Sequence, residues 1–385
     1  MKRILALLLV LAMMLSLAGC MIGKEEAVEE EEPTVPTTVP PTEPPKKVIH
    51  VLLSAEEAGW QAAVAAGVHA EAEKLQAAGD FDVNINTYTT AEEQIKMLQD
   101  VAAQSPKDGT HGVVTMPLYV VSADAEQTDE PAAETVDTAA QMEAAFVALL
   151  EANVAYALAD YIPDSAEAAS VANVRYDQRL IGATAAAKLV ENGLTQKQKV
   201  VIIQGMSEEE AERTEGFKLY LQGKLALNGE TIQKAWASLS NIVYSDMQGD
   251  TQDSAETYFD TYMENKDHAD TKYIVTWDDA YAMGILEALE GETIASKIKK
   301  TFLEGKPHLV SCGGSQAMLD VLAGKSEYTN LASFGSLQTM FYSQDMLKLA
   351  LQSLVSYFED AVVEQDQIQP ITWITAENAS QYQGY

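Results

Sequence analysis

Basic side chains, histidines and cysteines are scarce in this sequence. Of its 385 residues, 25 are Lys or Arg and 58 are Asp or Glu, so the formal net charge is −33 at pH 7. Such a charge argues against nucleic acid or an anionic bilayer surface as a partner. The 5 histidines show no metal-ligand spacing, and there is no G-x-S-x-G elbow, no P-loop and no G-x-G-x-x-G motif. We therefore expect a protein without a metal, a cofactor or catalytic residues.

The apolar run near the amino terminus is too short for a comfortable membrane span. It follows Lys2 and Arg3, a pattern typical of a secretory signal peptide. The run closes with LAGC, ending at Cys20, which resembles the bacterial lipoprotein box. The resemblance implies a signal peptide over residues 1–19, lipid modification of Cys20, and attachment to the extracytoplasmic face of the cell membrane. Two acyl chains suffice for stable anchoring. The alternative is an ordinary signal peptide with an incidental cysteine.

The second cysteine, Cys312, has no partner left once the first is lipidated, so no intramolecular disulfide is possible. The fold must then depend on its core. We interpret Cys312 as a small buried hydrophobe on a strand. His308 lies four residues earlier on that strand, too far for a hydrogen bond, and a nucleophilic role is therefore not expected.

A spacer precedes the rest of the chain. Half of the 12 prolines fall between Pro33 and Pro45, after a run of glutamates. Such a segment cannot bury apolar surface and favours extended polyproline conformations. We expect residues 20–46 to form a disordered tether between the lipid and a globular body.

From residue 47 onward, strand and helix patterns alternate in two series that meet near Asn173, as in doubly wound parallel sheets. Strand patterns occupy 47–54, 81–88, 112–116, 154–159, 200–203, 231–236, 272–277, 308–312 and 330–333, and a long helix is predicted over 340–363. We predict an α/β fold of two parallel-sheet lobes joined by a hinge, with a ligand cleft between them. The expected lobes are 47–173 plus about 334–362, and 174–333 plus about 363–385. An acidic, Ala-rich insert at 122–137 interrupts the first series, and its order is left open.

The segment Lys199–Leu221 places Arg213 in the first turns of a helix that follows a buried strand. In open α/β sheets, ligands bind at that edge. A guanidinium there can hold a polar ligand in a fixed plane. The alternative is an arginine paired with Glu209, Glu210 or Glu215 on a solvated helix face.

Several segments in the right order resemble the type I periplasmic binding proteins, nearest the ribose-binding branch. They are GWQAAVAAGVHAEAEKL, EEQIKMLQDVAAQ followed by GVVTMPLYVVSADA, ERTEGF, and YIVTWDDAYAMGILEAL. The resemblance spans about 48–385. It implies two lobes that close on a solute, and a partnership with an ABC permease.

The resemblance also implies site residues. Trp60 takes the place of the aromatic that stacks on the sugar, Asp160 that of the acid that accepts sugar hydroxyls, and Arg213 that of the arginine that grips the ligand from the second lobe. Asp278 falls where the family has a polar Asn, and Asp279 where it has a structural Asp. From the residues alone, Trp60 could be core, Asp160 could cap the turn before Pro163, and Asp278 could cap the following helix.

Other positions depart from the ribose-binding pattern. Met116 stands in place of an amide, Tyr161 of a second arginine and Gly313 of a ligand-binding Asp, while Ser333 lies near an expected Gln. Trp277 adds an aromatic that could line the cleft or pack beneath it. These departures argue against a simple pentose. The predicted ligand-binding residues are Trp60, Asp160, Tyr161, Arg213, Trp277 and Asp278.

The expected function is a lipid-anchored, monomeric solute-binding protein of an ABC importer that takes up a sugar or sugar-like molecule by hinge closure. Its partners would be that small molecule, the permease and, through the lipid, the membrane. An alternative is a receptor for a nucleoside or signalling molecule that informs a sensor kinase. A third, an anchored hydrolase, is disfavoured by the missing nucleophile and metal motifs.

Overall fold

A computed structural model describes residues 45–55, 59–118, 138–245, 247 and 249–385. All of them belong to one unit, Pro45–Tyr385. The predicted signal peptide, Cys20, nearly all of the tether and the insert at 122–137 lie outside the described residues. Within those residues, no helix is both long and apolar enough to cross a bilayer.

Six parallel strands form the first sheet, in the order β11-β5-β4-β3-β1-β2. Their central members are apolar on both faces, as expected of a parallel sheet covered by helices on both sides. The strands are β1 Lys47–Ser54, β2 Phe81–Tyr88, β3 His111–Thr115, β4 Ala155–Ala159, β5 Ala172–Arg175 and β11 Asp366–Ile368.

In the described part of the chain, the second sheet also has six strands, in the order β12-β10-β9-β8-β6-β7, and β12 alone runs antiparallel to its neighbour. The strands are β6 Val200–Ile203, β7 Ile242–Tyr244, β8 Tyr273–Thr276, β9 His308–Gly313, β10 Ser336–Phe341 and β12 Thr372–Ile374. The two doubly wound sheets confirm the predicted α/β class.

Helices cover both sheets. Those that accompany the first sheet are α1 Gly59–Ala78, α2 Ala91–Gln104, α3 Thr138–Glu151, α4 Asp164–Glu167 and α11 Met346–Phe358. Those in the second series are α5 Gln178–Glu191, α6 Glu208–Leu221, α7 Gln252–Glu264, α8 Asp279–Glu290, α9 Ser296–Glu304 and α10 Gln316–Leu322.

The chain passes between the sheets after Arg175, after Phe341 and after Ile368. The chain therefore returns to the first lobe later than the expected residue 334. Ser336–Phe341 still pairs with β9 of the second sheet. The segment after about residue 363 likewise first adds β11 to the first sheet. The term lobe is used below for each sheet with its helices.

Two secondary-structure predictions are wrong. The strand predicted over 231–236 is irregular, and Ile242–Tyr244 pairs with β6 instead. The strand predicted at 330–333 is displaced to β10, so the long helix begins only at Met346. Strand β10 was hard to see because it buries the polar Gln338 and Thr339. The Thr339 hydroxyl donates to buried Asp279 at 2.7 Å, which offsets its desolvation.

Helices α5 and α6 touch backbone to backbone. A Cβ on Gly182 would lie 1.8 Å from the carbonyl oxygen of Arg213, and one on Gly216 would lie 2.0 Å from the carbonyl oxygen of Arg179. Only glycine allows this approach. Because the contact includes the backbone of Arg213 itself, it fixes where that side chain leaves helix α6.

Candidate functional site

A cavity of about 240 Å³ is bordered by residues of both lobes, at the carboxyl ends of their strands. This is the edge at which ligands bind in open α/β sheets. Among the described residues, its walls are aromatic, acidic, apolar and amide side chains together with an arginine. They are Trp60, Asp160, Tyr176, Gln178, Ile181, Glu209, Arg213, Asp278, Gly313, Tyr342, Met346 and Tyr385.

Asp160 directly follows strand β4 and has a left-handed backbone conformation, with φ of 65°. Its amide donates to the carbonyl oxygen of Val174 at 2.9 Å, which ties the turn to the neighbouring strand. Helix α4 has Pro163 at its N-cap position and no side-chain cap, and among the described residues the carboxylate of Asp160 accepts no hydrogen bond, so it does not have the capping role considered above. Burial, and next the charge of Glu209, raise the pKa of its carboxyl to about 6, against the attraction of Arg213. Asp160 is thus a desolvated acid that faces a cavity.

That raised pKa predicts the stability of an Asp160→Asn variant. The folded state holds the proton more tightly than the unfolded state, so the contribution of Asp160 to stability is full below its ordinary pKa and is lost as the pH rises through 6. Above pH 6 the ionised carboxylate therefore costs about 1–3 kcal/mol. Asparagine removes this cost and tolerates the left-handed backbone.

We expect the unliganded Asp160→Asn variant to be more stable than the wild type in urea melts, and by more at pH 8 than at pH 5. An equal gain at both pH values, or a loss at pH 8, would contradict this. Glu209, Arg213 and the Tyr176 hydroxyl are the ionisable groups that interact with Asp160.

Arg213 is held by the protein on two sides. Its Nε donates to Oε1 of Gln178, and its Nη1 donates to the carbonyl oxygen of Trp277, each at 2.8 Å. The guanidinium carbon lies 5.3 Å from the ring centroid of Tyr342. The side chain does not form the ion pair on a solvated helix face that was the alternative. It presents a fixed cation to the cavity.

Two consecutive acids follow strand β8. Oδ1 of Asp278 accepts from the amide of Ala280 at 2.7 Å and caps helix α8, while its side chain also borders the cavity. The capping alternative for Asp278 is therefore correct, and it does not remove the residue from the site. Asp279 is fully buried and accepts from the hydroxyls of Ser311 and Thr339 and from two loop amides. Its structural role agrees with the resemblance.

The two tryptophans predicted for the site have different positions. Trp277 is 0% exposed, and its indole N–H donates to the Thr214 hydroxyl at 2.7 Å beside the edge of Phe217. It therefore packs beneath the site and does not line it, because its ring fills the gap between strand β8 and helix α6. Trp60 borders the cavity while packing against the core, and its Nε1 is buried without a hydrogen-bond partner among the described residues.

Tyr161 borders a second cavity of about 340 Å³. This cavity adjoins the first, since Asp160, Tyr176, Gln178 and Glu209 line both. Of the six predicted residues, the structure thus brings Trp60, Asp160, Arg213 and Asp278 together, places Tyr161 next to them, and keeps Trp277 away.

Tyrosines that sequence reasoning missed complete the cavity. Tyr176 and Tyr342 lie on two of the segments that join the lobes, with ring centroids 5.1 Å apart, and the Tyr176 hydroxyl accepts from the amide of Ser343 at 2.6 Å. Tyr385 reaches the cavity from the far end of the sequence. The sequence offered one weak signal for Tyr176, its closeness to the point near Asn173 where the two series were expected to meet.

One departure from the ribose-binding pattern has a structural explanation. Gly313 has φ of 136°, and a Cβ there would lie 2.8 Å from the Tyr385 hydroxyl and 3.1 Å from Oδ2 of Asp279. A side chain at residue 313 would therefore displace Tyr385.

Two other departures lie away from the cavity. Met116 is buried, and its carbonyl accepts from the Tyr88 hydroxyl, while Ser333 lies in a short 3-10 turn on another surface.

Two larger hollows, of about 670 and 640 Å³, lie elsewhere. Each is bordered by one lobe only: the first by helix α9 and its neighbours, the second by β2 and helix α2. We favour the smaller cavity because its walls come from both lobes and carry the perturbed acids.

Cys312 is fully buried next to the cavity wall. Burial raises the pKa of its thiol to about 12, so the thiolate is absent at neutral pH. The structure agrees with its interpretation as a small buried hydrophobe. Among the described residues, no group of three or more His, Cys, Asp or Glu side chains could hold a metal ion.

Residues 49–334 match the family defined by the periplasmic binding protein domain. The chain belongs to the periplasmic binding proteins. Solved structures agree on the fold. A periplasmic ribose ABC transporter protein from Conexibacter woesei superposes with a TM-score of 0.60 at 16% identity, over 87% of this chain and 94% of that one. The binding protein of the arabinose ABC transporter from Shewanella sp. superposes with a TM-score of 0.58 at 13% identity, over 87% and 94%.

This periplasmic binding protein also shares its fold with a putative LacI transcriptional regulator from Bacteroides fragilis, at a TM-score of 0.58 and 16% identity, over 88% of this chain and 100% of that one. At such identities the likeness shows the fold alone. A comparison with curated protein sequences finds no match. The family consists of extracytoplasmic solute-binding proteins and not of enzymes.

Proposed function

We propose that this periplasmic binding protein is the lipid-anchored receptor of an ABC importer and that it binds a sugar or sugar-like molecule in the cavity between its lobes. The observation that carries the proposal is the composition of that cavity, in which aromatic faces and hydrogen-bonding groups come from both lobes. A sugar has an apolar ring face and a hydroxylated rim, and this combination suits both. The ribose and arabinose transporter proteins that share the fold support the same class of ligand.

The mechanism follows from the distribution of the contacts. Trp60 and Asp160 belong to the first lobe, whereas Arg213 and Asp278 belong to the second. A ligand that touches all four stabilises the arrangement in which the lobes are close together. The permease partner would then recognise that closed shape, and no chemical step is required of the protein.

A thermal-shift screen of the purified protein against sugars, nucleosides and amino acids tests the proposal. A ligand at one hundred times its dissociation constant adds about 2.7 kcal/mol to the free energy of unfolding. We expect stabilisation by at least one sugar. If nucleosides stabilise the protein and sugars do not, the alternative of a nucleoside receptor replaces this proposal. The aromatic side chains Trp60, Tyr176 and Tyr342 around the cavity are the observation that favours that alternative, because they would also stack on a base.

Attachment through Cys20 is a separate prediction, since the residue lies outside the described part of the chain. We expect cells that express the protein to incorporate a clickable fatty acid into it, because LAGC follows a short apolar run. The Cys20→Ser variant should lose both the label and the membrane fraction. A Cys312→Ser variant is the matched control and should keep both. A Cys20→Ser protein that is still labelled would refute the assignment.

A further inference from the structure

The cavity has more acids than bases. Among the described residues that border it, Asp160, Glu209 and Asp278 are acidic and Arg213 alone is basic. The adjoining cavity adds further acids, and its basic residue, Arg175, already pairs with Glu167 and Asp366 at 3.0 Å. Those further acids are Glu143, Asp164, Glu208 and Glu212. An empty site of this composition has an unbalanced negative charge.

Within the described residues, the three acids of the cavity itself form no ion pair with a basic side chain, whereas Glu212 of the adjoining cavity lies 3.6 Å from Arg179. Arg213 directs Nε and Nη1 at Gln178 and the carbonyl oxygen of Trp277, not at a carboxylate. In the described part of the chain, the carboxylates of Asp160 and Glu209 form neither a hydrogen bond nor an ion pair. Burial, and next the charge of Glu209, raise the pKa of Asp160, as expected of an acid without a basic partner. In a solute-binding site, a positively charged ligand can balance these carboxylates.

The aromatic rings around the cavity also favour a positively charged ligand. The ring of Tyr342 is already opposite the guanidinium of Arg213, but Trp60, Tyr176 and Tyr385 also border the cavity. Aromatic faces attract organic cations, and more strongly where water is excluded. The unpartnered Nε1 of Trp60 adds a donor, which requires an acceptor such as a hydroxyl or ring oxygen on the ligand.

In the described part of the chain, no group of three or more His, Cys, Asp or Glu side chains could hold a metal ion. We propose that the ligand is a sugar or similar polyol that carries a protonated amine, with the amine directed at Asp160 and Glu209 and the ring against Trp60. This inference rests on the proposed sugar-binding function and narrows its ligand class.

Titration calorimetry with matched sugars tests it. Glucosamine and galactosamine are compared at pH 6.5 with glucose and galactose, which lack the amine, and with the N-acetyl derivatives, in which the amine is uncharged. We expect at least one amino sugar to bind ten-fold or more tightly than both of its uncharged counterparts. Added salt should reduce that preference, because it screens the attraction between the amine and the carboxylates.

Variants of the two carboxylates test whether they cause the preference for the amine. Asp160→Asn and Glu209→Gln should each reduce the preference for the amine several-fold, whereas affinity for the neutral sugar should change much less. Glu215→Gln is the matched control, because it removes an exposed carboxylate from the same helix α6 outside the cavity. It should leave the preference unchanged.

The outcomes separate this inference from the function on which it rests. Neutral sugars that bind as tightly as amino sugars would overturn the inference and leave the sugar receptor intact. An amine preference that survives both cavity variants would overturn the assigned carboxylates and with them the inference. If no sugar binds, charged or neutral, both the inference and the proposed function fail.

Discussion

Replacing Trp277 with alanine is expected to lower the free energy of unfolding by about 3–5 kcal/mol, as for other emptied aromatic core sites. The ring is fully buried against Phe217, and its removal also leaves the Thr214 hydroxyl without the indole donor. Trp277 does not border the cavity, so ligand affinity measured on the folded fraction should change little. Urea melts and calorimetry on the same variant measure the two quantities.

Trp60→Ala is the matched comparison, because it removes the same side chain from the cavity wall. We expect the opposite result: a loss of ligand affinity of about 2 kcal/mol or more, by analogy with a buried aromatic contact at an interface, and a smaller loss of stability than in Trp277→Ala. If the two variants lose stability equally and Trp60→Ala binds normally, Trp60 is a core residue and the aromatic wall is wrongly assigned.

Arg213→Ala is expected to weaken ligand binding by about 2–5 kcal/mol, since it removes a fixed charged donor from a desolvated site. The structure adds a second effect. Because Arg213 also donates to Gln178 and to the carbonyl oxygen of Trp277, the unliganded variant should lose about 1–3 kcal/mol of stability. Calorimetry beside a urea melt separates the affinity loss from the stability loss.

Arg179→Ala is the control for this variant. Arg179 is a neighbouring arginine on helix α5 whose contact with Glu212, at 3.6 Å, is largely exposed and therefore worth little. Neither affinity nor stability should change measurably. Wild-type affinity in Arg213→Ala would exclude Arg213 from the ligand site.

Much of the fold could be predicted because parallel strands buried on both faces are continuous apolar runs. Val200–Ile203 and Tyr273–Thr276 are such runs, and each is correctly placed. Strand β10 could not be recognised in this way, because its buried Thr339 is satisfied by an acid 60 residues earlier in the chain. A sequence pattern records local polarity, whereas such a partner exists only after folding.

The residues of the candidate site also fall into those that the sequence could predict and those that it could not. Trp60, Asp160 and Arg213 could be found because they follow strand ends or lie in the first turns of the helices after them. Such positions place a residue at the carboxyl edge of its sheet, where ligands bind. Tyr176 and Tyr342 could not, because their proximity depends on two crossings 167 residues apart that meet through the Ser343 amide. Trp277 shows the remaining ambiguity, since a strand-end residue can point into the cleft or beneath it.

Small-angle scattering on the protein with and without a saturating sugar measures whether one ligand is held by both lobes. Because Asp160 and Arg213 border the same cavity from different lobes, a ligand bound there favours the closed arrangement. We expect a smaller radius of gyration when the sugar is bound. An unchanged scattering profile at saturation would contradict it.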